Sequence, residues 1–392
     1  LSCAPLCDVK PAILNRYKHL MLTEGAASVF PFTSESIQQM DGIMLGYQLI
    51  NYSPVLINPF NPARNMLIFG IPGSGKTFAT LMVTMRLFLF GVQTFIIVPT
   101  KGREYKKICD SCNAEKITLG PNKNKFINIM ELNYILEVQD MYDTENIVAM
   151  NSLDMKVDEL MQFFEIIGND LLTPVAKSML SGTIRKFYLS LGFTEDPASI
   201  FINDDIESQI KKPMPLLKDF REYMLQSETE DIRTAAIVLD EYIDGSSRYF
   251  NKQTNVDLHN QMIIFDLSEI PIGTKQFQIA LMMTQNFVMS QATSNVAKRK
   301  AVLLEEMWEL LGYEDSRHFI RKCVKTLRGL GGIFIGVTQS YSDTKIYEEL
   351  STVVESCPIK LFFKTGNISN DMIHEDLNID MADLEYLNKL SD

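Results

Sequence analysis

The stretch that most constrains this chain is "GIPGSGKT", Gly70–Thr77, which fits G-x-x-x-x-G-K-[ST]. Glycines at these positions let successive backbone N–H groups point inward at phosphate oxygens, and a helix starting there adds its positive dipole end. Such a loop works only between a strand and a helix, and the sequence supplies both. "NMLIFG", Asn65–Gly70, is a short apolar run of strand length, and "TFATLMVTMRLFLFG" is a long apolar helix closed by Gly91. "VQTFIIVP" then reads as a second strand stopped by Pro99. Strand, helix, strand is a βαβ unit, which argues for a parallel sheet. Gly70, Ile71, Pro72, Gly73, Ser74, Gly75, Lys76 and Thr77 are therefore the expected phosphate cradle. Lys76 is expected at the β- and γ-phosphates and the Thr77 hydroxyl on Mg²⁺.

Four stretches follow from the change of pattern along the chain. Residues 1–50 carry helical apolar spacing at Ile13, Tyr17, Leu20 and Met21, then the loop-like Phe30–Ser36. Residues 51–139 hold the first part of the α/β core. Residues 140–255 are read as an all-α insertion, because "DELMQFFEIIGNDLL" and "AKSMLSGTIRKFYLSLG" keep helical periodicity with no alternation between them. In residues 256–392 β-type runs return at Gln261–Ser268, Lys300–Glu306, Gly331–Ser340 and Pro358–Gly366, so the sheet resumes where the insertion left it.

Composition narrows the class. A net charge of -12 with no dense Lys/Arg run lacks the basic footprint of phosphate-backbone binding, so direct nucleic-acid binding is left without support. Apolar runs such as Thr94–Val98 are strand-sized, far below the roughly 20 residues of a membrane span. Among Cys3, Cys7, Cys109, Cys112, Cys323 and Cys357, only "CDSC" has metal or redox spacing. No second pair accompanies it, and free thiols in a reducing compartment are the simpler expectation. The chain starts with Leu1 and is expected to be part of something longer.

A nucleotide hydrolase also needs acids at the end of a buried strand near the loop. "AIVLDEY", Ala236–Tyr242, has the pattern, but Ile232, Ala235, Ala236, Leu239, Tyr242 and Ile243 recur at helical spacing. Ser227 with Glu230 suggests a capping box and Gly245 a helix end, leaving Asp240 and Glu241 solvated. "AVLLEEMWEL", Ala301–Leu310, has the better setting: apolar residues, then Glu305 and Glu306, then a helix, then a strand ending at Gln339. In the additional-strand class of ATPases that last position holds a polar sensor. The competing reading of the two glutamates is an acidic helix start, which the dipole also favours.

As a set these motifs resemble the conjugative-transfer ATPases of type IV secretion, the VirB4/TraC family, related to the HerA/FtsK motors. "FPFTSESIQQMDGIMLGYQ", "GREYKKIC", "FINIMEL", "MPLLKDF", "YIDGSSRYFN", "IIFDLSEI", "LLEEMWELL" and "LRGLGGIFIGVTQS" are the segments that carry the resemblance. It implies a RecA-like α/β P-loop NTPase of the additional-strand class, with a mostly parallel central sheet and an all-α insertion. By the same resemblance Glu306 is the catalytic carboxylate that polarises water, Glu305 the magnesium-side acid where relatives carry Asp, and Gln339 the γ-phosphate sensor. Arg328 falls on the family's arginine before the last strand, a candidate finger for a neighbour's site, with Arg321 the weaker alternative. Its competing reading is an arginine interacting with a helix C-terminus. Val98 stands where relatives carry an acid and Gly329 where they carry Lys, so neither contact is carried over. The implied function is hydrolysis of ATP with Mg²⁺ to energise a type IV secretion or conjugation machine at the cytoplasmic face of the membrane. Its implied partners are other secretion components, including inner-membrane proteins. The full-length protein is expected as a homo-hexamer and a truncated domain as a monomer. A DNA-translocating motor of the coupling-protein or HerA/FtsK type and a nucleotide-binding assembly scaffold with little turnover are the alternatives.

Overall fold

Two backbone bonds close a hairpin: Gln48 N–H donates to Ser53 O at 2.9 Å and Tyr52 N–H to Gln48 O at 3.0 Å. It joins β1 (Ile43–Tyr47) and β2 (Pro54–Ile57), which pair antiparallel. In this computed structural model the described residues are 37–49, 51–62, 64–132, 135–138, 147–150, 152–168, 172–204, 210–256, 260–294 and 298–389. The chain divides into two units, Leu1–Asn58 and Pro59–Asp392. The boundary expected after residue 50 therefore falls inside the hairpin; turn residues resemble a domain edge when their partner strands are short. The helix expected around Ile13–Met21, the Phe30–Ser36 loop, Cys3 and Cys7 lie outside the described residues.

The second unit opens with β3 (Met66–Phe69), α1 (Lys76–Leu89), β4 (Gln93–Val98), α2 (Lys106–Cys112) and β5 (Glu115–Thr118). An antiparallel pair follows, β6 (Ile135–Val138) with β7 (Ile147–Met150). Next come α3 (Ser152–Gly168), α4 (Pro174–Ser190), α5 (Leu217–Leu225), α6 (Glu230–Ile237) and α7 (Asp240–Ile243). The chain then runs through β8 (Met262–Asp266), α8 (Lys275–Ser294), β9 (Lys300–Leu304), α9 (Met307–Leu310), α10 (Glu314–Thr326) and β10 (Gly332–Thr338). It closes with α11 (Ser351–Glu355), β11 (Ile359–Phe362), α12 (Asn367–Leu377) and α13 (Met381–Lys389).

Seven of these strands form one sheet in the order β11-β3-β10-β9-β4-β8-β5, and every pairing in it is parallel. The reason lies in composition: β3, β8, β9 and β10 are buried along their whole length, as parallel strands covered on both faces must be. Register then decides the site. Thr338 pairs with Phe69, and Gly336 with both Leu67 and Leu304, so the loop after β3, the residues after β9 and the residue after β10 leave the same end of the sheet.

The insertion is helical from Ser152 onward, but β7 lies inside the 140–255 stretch and the expected boundary at 139 separates it from β6. "IVAM" has no polar alternation to mark it as a strand. Nor is the insertion a separate body. Phe163, Phe164, Phe187 and Phe220 belong to the same continuous core as Phe95 and Phe265 of the sheet. Phe164 and Phe220 meet edge to face at 6.0 Å, Phe187 and Phe220 pack tilted at 5.0 Å, and Tyr188 OH donates to Met130 O at 2.7 Å. Thr173 caps α4 by accepting from Ala176 N–H at 3.0 Å, with Pro174 in the first turn.

"AIVLDEY" is helical, split between α6 and α7. Its start differs from the expectation: Thr229 is the cap residue, and Ser227 Oγ accepts from Thr229 N–H at 3.3 Å, closing a turn before the helix. Asp240 is not simply solvated but pairs with Arg221 Nε at 2.5 Å; exposed Glu241 accepts from Ser246 Oγ at 2.6 Å. Among the described residues no helix is long and apolar enough to cross a membrane.

Candidate active site

Gly70–Thr77 forms the turn between β3 and α1. Gly73 and Gly75 have φ of 78° and 85°, a left-handed backbone that only glycine adopts cheaply. Gly70 is required for a different reason: a Cβ there would sit 2.6 Å from Ser74 Oγ and 2.7 Å from Phe363 Cβ. Two backbone bonds tie the loop down, Gly70 N–H to Thr338 O at 3.3 Å and Ile71 N–H to Lys364 O at 2.9 Å. Ile71, Pro72 and Gly73 are exposed, and Thr77 at the start of α1 is half-buried. The amides of Gly73, Gly75, Lys76 and Thr77 take no partner among the described residues.

Lys76 is the most informative residue of the loop. It is 4% exposed, its Nζ has no hydrogen-bond partner, and the nearest carboxylate oxygen, Glu306 Oε2, is 3.9 Å away. Ser74 Oγ is likewise buried and unpartnered. Burial pushes the Lys76 ammonium below its ordinary value against the pull of Glu306 and Glu305. A buried, unsatisfied ammonium beside a row of free amides costs free energy unless an anion joins it, so these residues fit a phosphate chain.

Opposite the loop, Glu305 N–H donates to Ile97 O at 3.0 Å, extending the β9–β4 ladder by one residue. Glu306 then takes φ 45° and ψ 47°, left-handed for a non-glycine, and the chain turns into α9. Strain of order 1–3 kcal/mol at such a residue persists where surrounding contacts over-determine it. Those contacts are present: Lys101 Nζ lies 2.5 Å from Oε1, while Trp308 Nε1 and Gln339 Nε2 donate to Oε2 at 2.6 and 3.0 Å. Burial works against ionisation of Glu306, but Lys101, Gln339, Lys76 and Trp308 outweigh it and hold the carboxyl below its ordinary value. It is an anion matched by donors.

Glu305 differs. Its Oε1 accepts from the buried Tyr105 OH at 2.5 Å, and Oε2 has no hydrogen-bond partner among the described residues. Burial lifts this carboxyl above its ordinary value and the charge of Glu306 adds to the effect, while Tyr105 and Lys76 oppose it.

Of the residues selected from sequence, Lys76, Glu306 and Gln339 meet in one cluster, Glu305 stands beside it, and Thr77 follows Lys76 at the helix start. Arg328 does not join them. It is exposed and precedes Gly332, the first residue of β10, whereas Gln339 follows the last. At ~3.3 Å per residue, seven strand residues put roughly 20 Å between the two ends. Arg321, on α10, also precedes that strand.

Lys101 and Tyr105 were missed by sequence reasoning. Both follow β4, which pairs with β9 from Gln93↔Lys300 to Ile97↔Leu304, so the segment after β4 emerges next to the acids. The usable signal was the rule that parallel sheets bind ligands beyond their carboxyl ends, applied to the residues after Val98 and Pro99. The Lys101 loop is fixed by Asp266 at the end of β8. Lys116 Nζ bridges Asp266 Oδ2 and Gly102 O, both at 2.8 Å, and a Cβ on Gly102 would fall 2.0 Å from the Asp266 carboxylate. Among the described residues no three His, Cys, Asp or Glu side chains gather as a metal site, so a cation here would depend on phosphate oxygens as well as protein ones.

Against known proteins, the model of the TraG P-loop domain family matches residues 50–383. The type IV secretion system protein virB4 of Bartonella quintana is 23% identical over 156 residues, 39% of this chain and 19% of that protein. The virB4 protein of Bartonella henselae is 22% identical over the same span. The match thus spans about a fifth of the length of these relatives. The structure of VirB4 of Thermoanaerobacter pseudethanolicus superposes with a TM-score of 0.70 at 22% identity, covering 91% of this chain and 93% of that one. It shares the fold.

Proposed function

The chain belongs to the TraG P-loop domain family, and from that premise we propose that it hydrolyses ATP to ADP and phosphate to energise a type IV secretion or conjugative transfer machine. The observation that carries the reading is Lys76: a buried ammonium without a hydrogen bond, 3.9 Å from a carboxylate that three donors keep ionised.

In this mechanism the free amides of the loop and Lys76 hold the β- and γ-phosphates and neutralise charge as the terminal phosphoryl group transfers. Glu306 accepts a hydrogen bond from the attacking water, and Gln339, already 3.0 Å from that carboxylate, contacts water or γ-phosphate. Thr77 and the free oxygen of Glu305 are the protein groups that would hold Mg²⁺. When bound, Mg²⁺ supplies positive charge to the phosphate oxygens. Arg328 serves a neighbouring subunit, because its own site lies at the far end of β10. Such fingers contribute ~10³ to 10⁵ in rate. The active form is accordingly an oligomer, a hexamer in the whole protein, working at the cytoplasmic face of the membrane with inner-membrane secretion proteins.

Phosphate release measured against protein concentration tests the reading. A superlinear rise is expected, abolished in Lys76→Ala; strict proportionality at every concentration would remove the shared arginine. Absence of turnover in the whole protein, with nucleotide still bound, would leave the scaffold role instead. DNA-stimulated turnover would move the reading to a DNA motor, which the net charge of -12 does not favour.

A further inference from the structure

Both oxygens of Glu306 already accept hydrogen bonds: Oε1 from Lys101, Oε2 from Trp308 and Gln339. A carboxylate oxygen accepts two hydrogen bonds, so Oε2 is filled while Oε1 keeps one site for water, and the Lys101 ammonium on Oε1 makes that oxygen a weaker acceptor and base toward water. Of the three donors, Lys101 is the one able to leave. Its ammonium ends a flexible four-carbon stem that reaches solvent, whereas Trp308 is a rigid ring two residues from Glu306 on the same turn and Gln339 continues a buried strand.

The place for it to go is also visible. Lys76 and Lys101 flank one carboxylate, at 3.9 and 2.5 Å, and share it as counter-ion. An anion drawn to Lys76 therefore arrives beside Lys101. Both ammonium groups lie in the field of Glu306 and, more weakly, Glu305; a diphosphate would bring them only the phosphate held by Lys76, whereas a triphosphate would add a terminal phosphate with oxygens left over for Lys101.

We propose that Lys101 reads the terminal phosphate: it holds Glu306 in an ion pair until a nucleoside triphosphate occupies the loop, then transfers to the γ-phosphate and leaves Oε1 a stronger acceptor for water. This rests on the reading of Gly70–Thr77 as a nucleotide site and adds to it a residue that distinguishes triphosphate from diphosphate. Gly102, packed on Asp266 and bonded to Lys116, anchors the backbone so that only the side chain need move.

The test is calorimetric titration of the wild type, Lys101→Met and Lys101→Arg with Mg·AMP-PNP and with Mg·ADP, melting curves showing that each variant is folded. One charge-assisted hydrogen bond corresponds to about a tenfold change in affinity or more. Lys101→Met should weaken Mg·AMP-PNP by that factor and leave Mg·ADP within about twofold, and Lys101→Arg should recover part of the loss. Equal changes for both nucleotides, or none for either, would overturn the proposal while leaving the nucleotide site intact. A wild type that binds neither would remove the nucleotide reading, and the proposal with it.

Discussion

Asn65 controls how the loop strand meets the sensor strand, and its replacement has a cost that can be worked out. The residue is 5% exposed just before β3. Its Nδ2 donates to Val324 O at 3.0 Å and to Ser356 O at 3.3 Å, while Oδ1 accepts from Phe334 N–H at 2.9 Å. One side chain thus joins α10, the turn after α11, and β10. Asn65→Ala removes three hydrogen bonds at about 1 kcal/mol each and leaves the buried Phe334 amide unpaired, for a total loss of about 3–5 kcal/mol. That is a large part of a typical 5–15 kcal/mol stability. Asn65→Asp keeps the acceptor for Phe334 but turns a carboxylate oxygen toward two carbonyls, so it should cost at least as much. Equilibrium urea unfolding, compared at constant slope, measures both. A loss below about 1 kcal/mol for Ala, or an Asp variant more stable than the Ala one, would refute the reasoning.

Two further outcomes follow from packing and charge. Gly102→Ala must displace the Asp266 carboxylate, 2.0 Å from the new Cβ, and should cost on the order of 2 kcal/mol by weakening the Lys116 pair. Asp266→Ala in the same chain relieves the clash, so the double variant should lose less than the two single losses added together; simple additivity would argue against the contact. Lys300 is fully buried, donates to Ala292 O, and is pushed by burial from 10.5 down to about 8. Its folded value lies below its unfolded one, so the unfolded chain binds more protons between about pH 8 and 10.5 and stability rises with pH there. Lys300→Met should be more stable than wild type at pH 7 and lose that rise; thermal melts across this range would show it, and an unchanged rise would assign it elsewhere.

What sequence could reveal of this fold was what short segments encode by themselves. The loop motif, its flanking strand and helix, and the buried run ahead of Glu305 and Glu306 are local patterns, and each lies where its spacing implies. The sheet order is not local. β4 lies beside β9, a strand some two hundred residues later, so the carboxyl-end rule could mark the residues after β4 as site-side but no local pattern says that Lys101 meets Glu306. Short elements were also obscured: the β6–β7 pair lacks alternation, and a hairpin turn was read as a boundary. Partners such as Arg221 for Asp240 depend on how helices pack, which helical spacing does not specify. Arg328 is the opposite case. Its separation from Gln339 follows from strand direction alone and was available once the run Gly331–Ser340 was read as a single strand.

In the proposed function Glu306 is the group that acts on water beside a nucleotide held by Gly70–Thr77. Its most direct test is a single-turnover measurement at high protein concentration, comparing wild type with Glu306→Gln for Mg·ATP affinity and for phosphate released from the bound complex. Glutamine keeps the size of the side chain and can still accept from Lys101, but it cannot serve as a base. Affinity should stay within about threefold while release falls by ~10² or more, the range that loss of a general base produces. Release at the wild-type rate from an equally occupied variant would contradict the central claim.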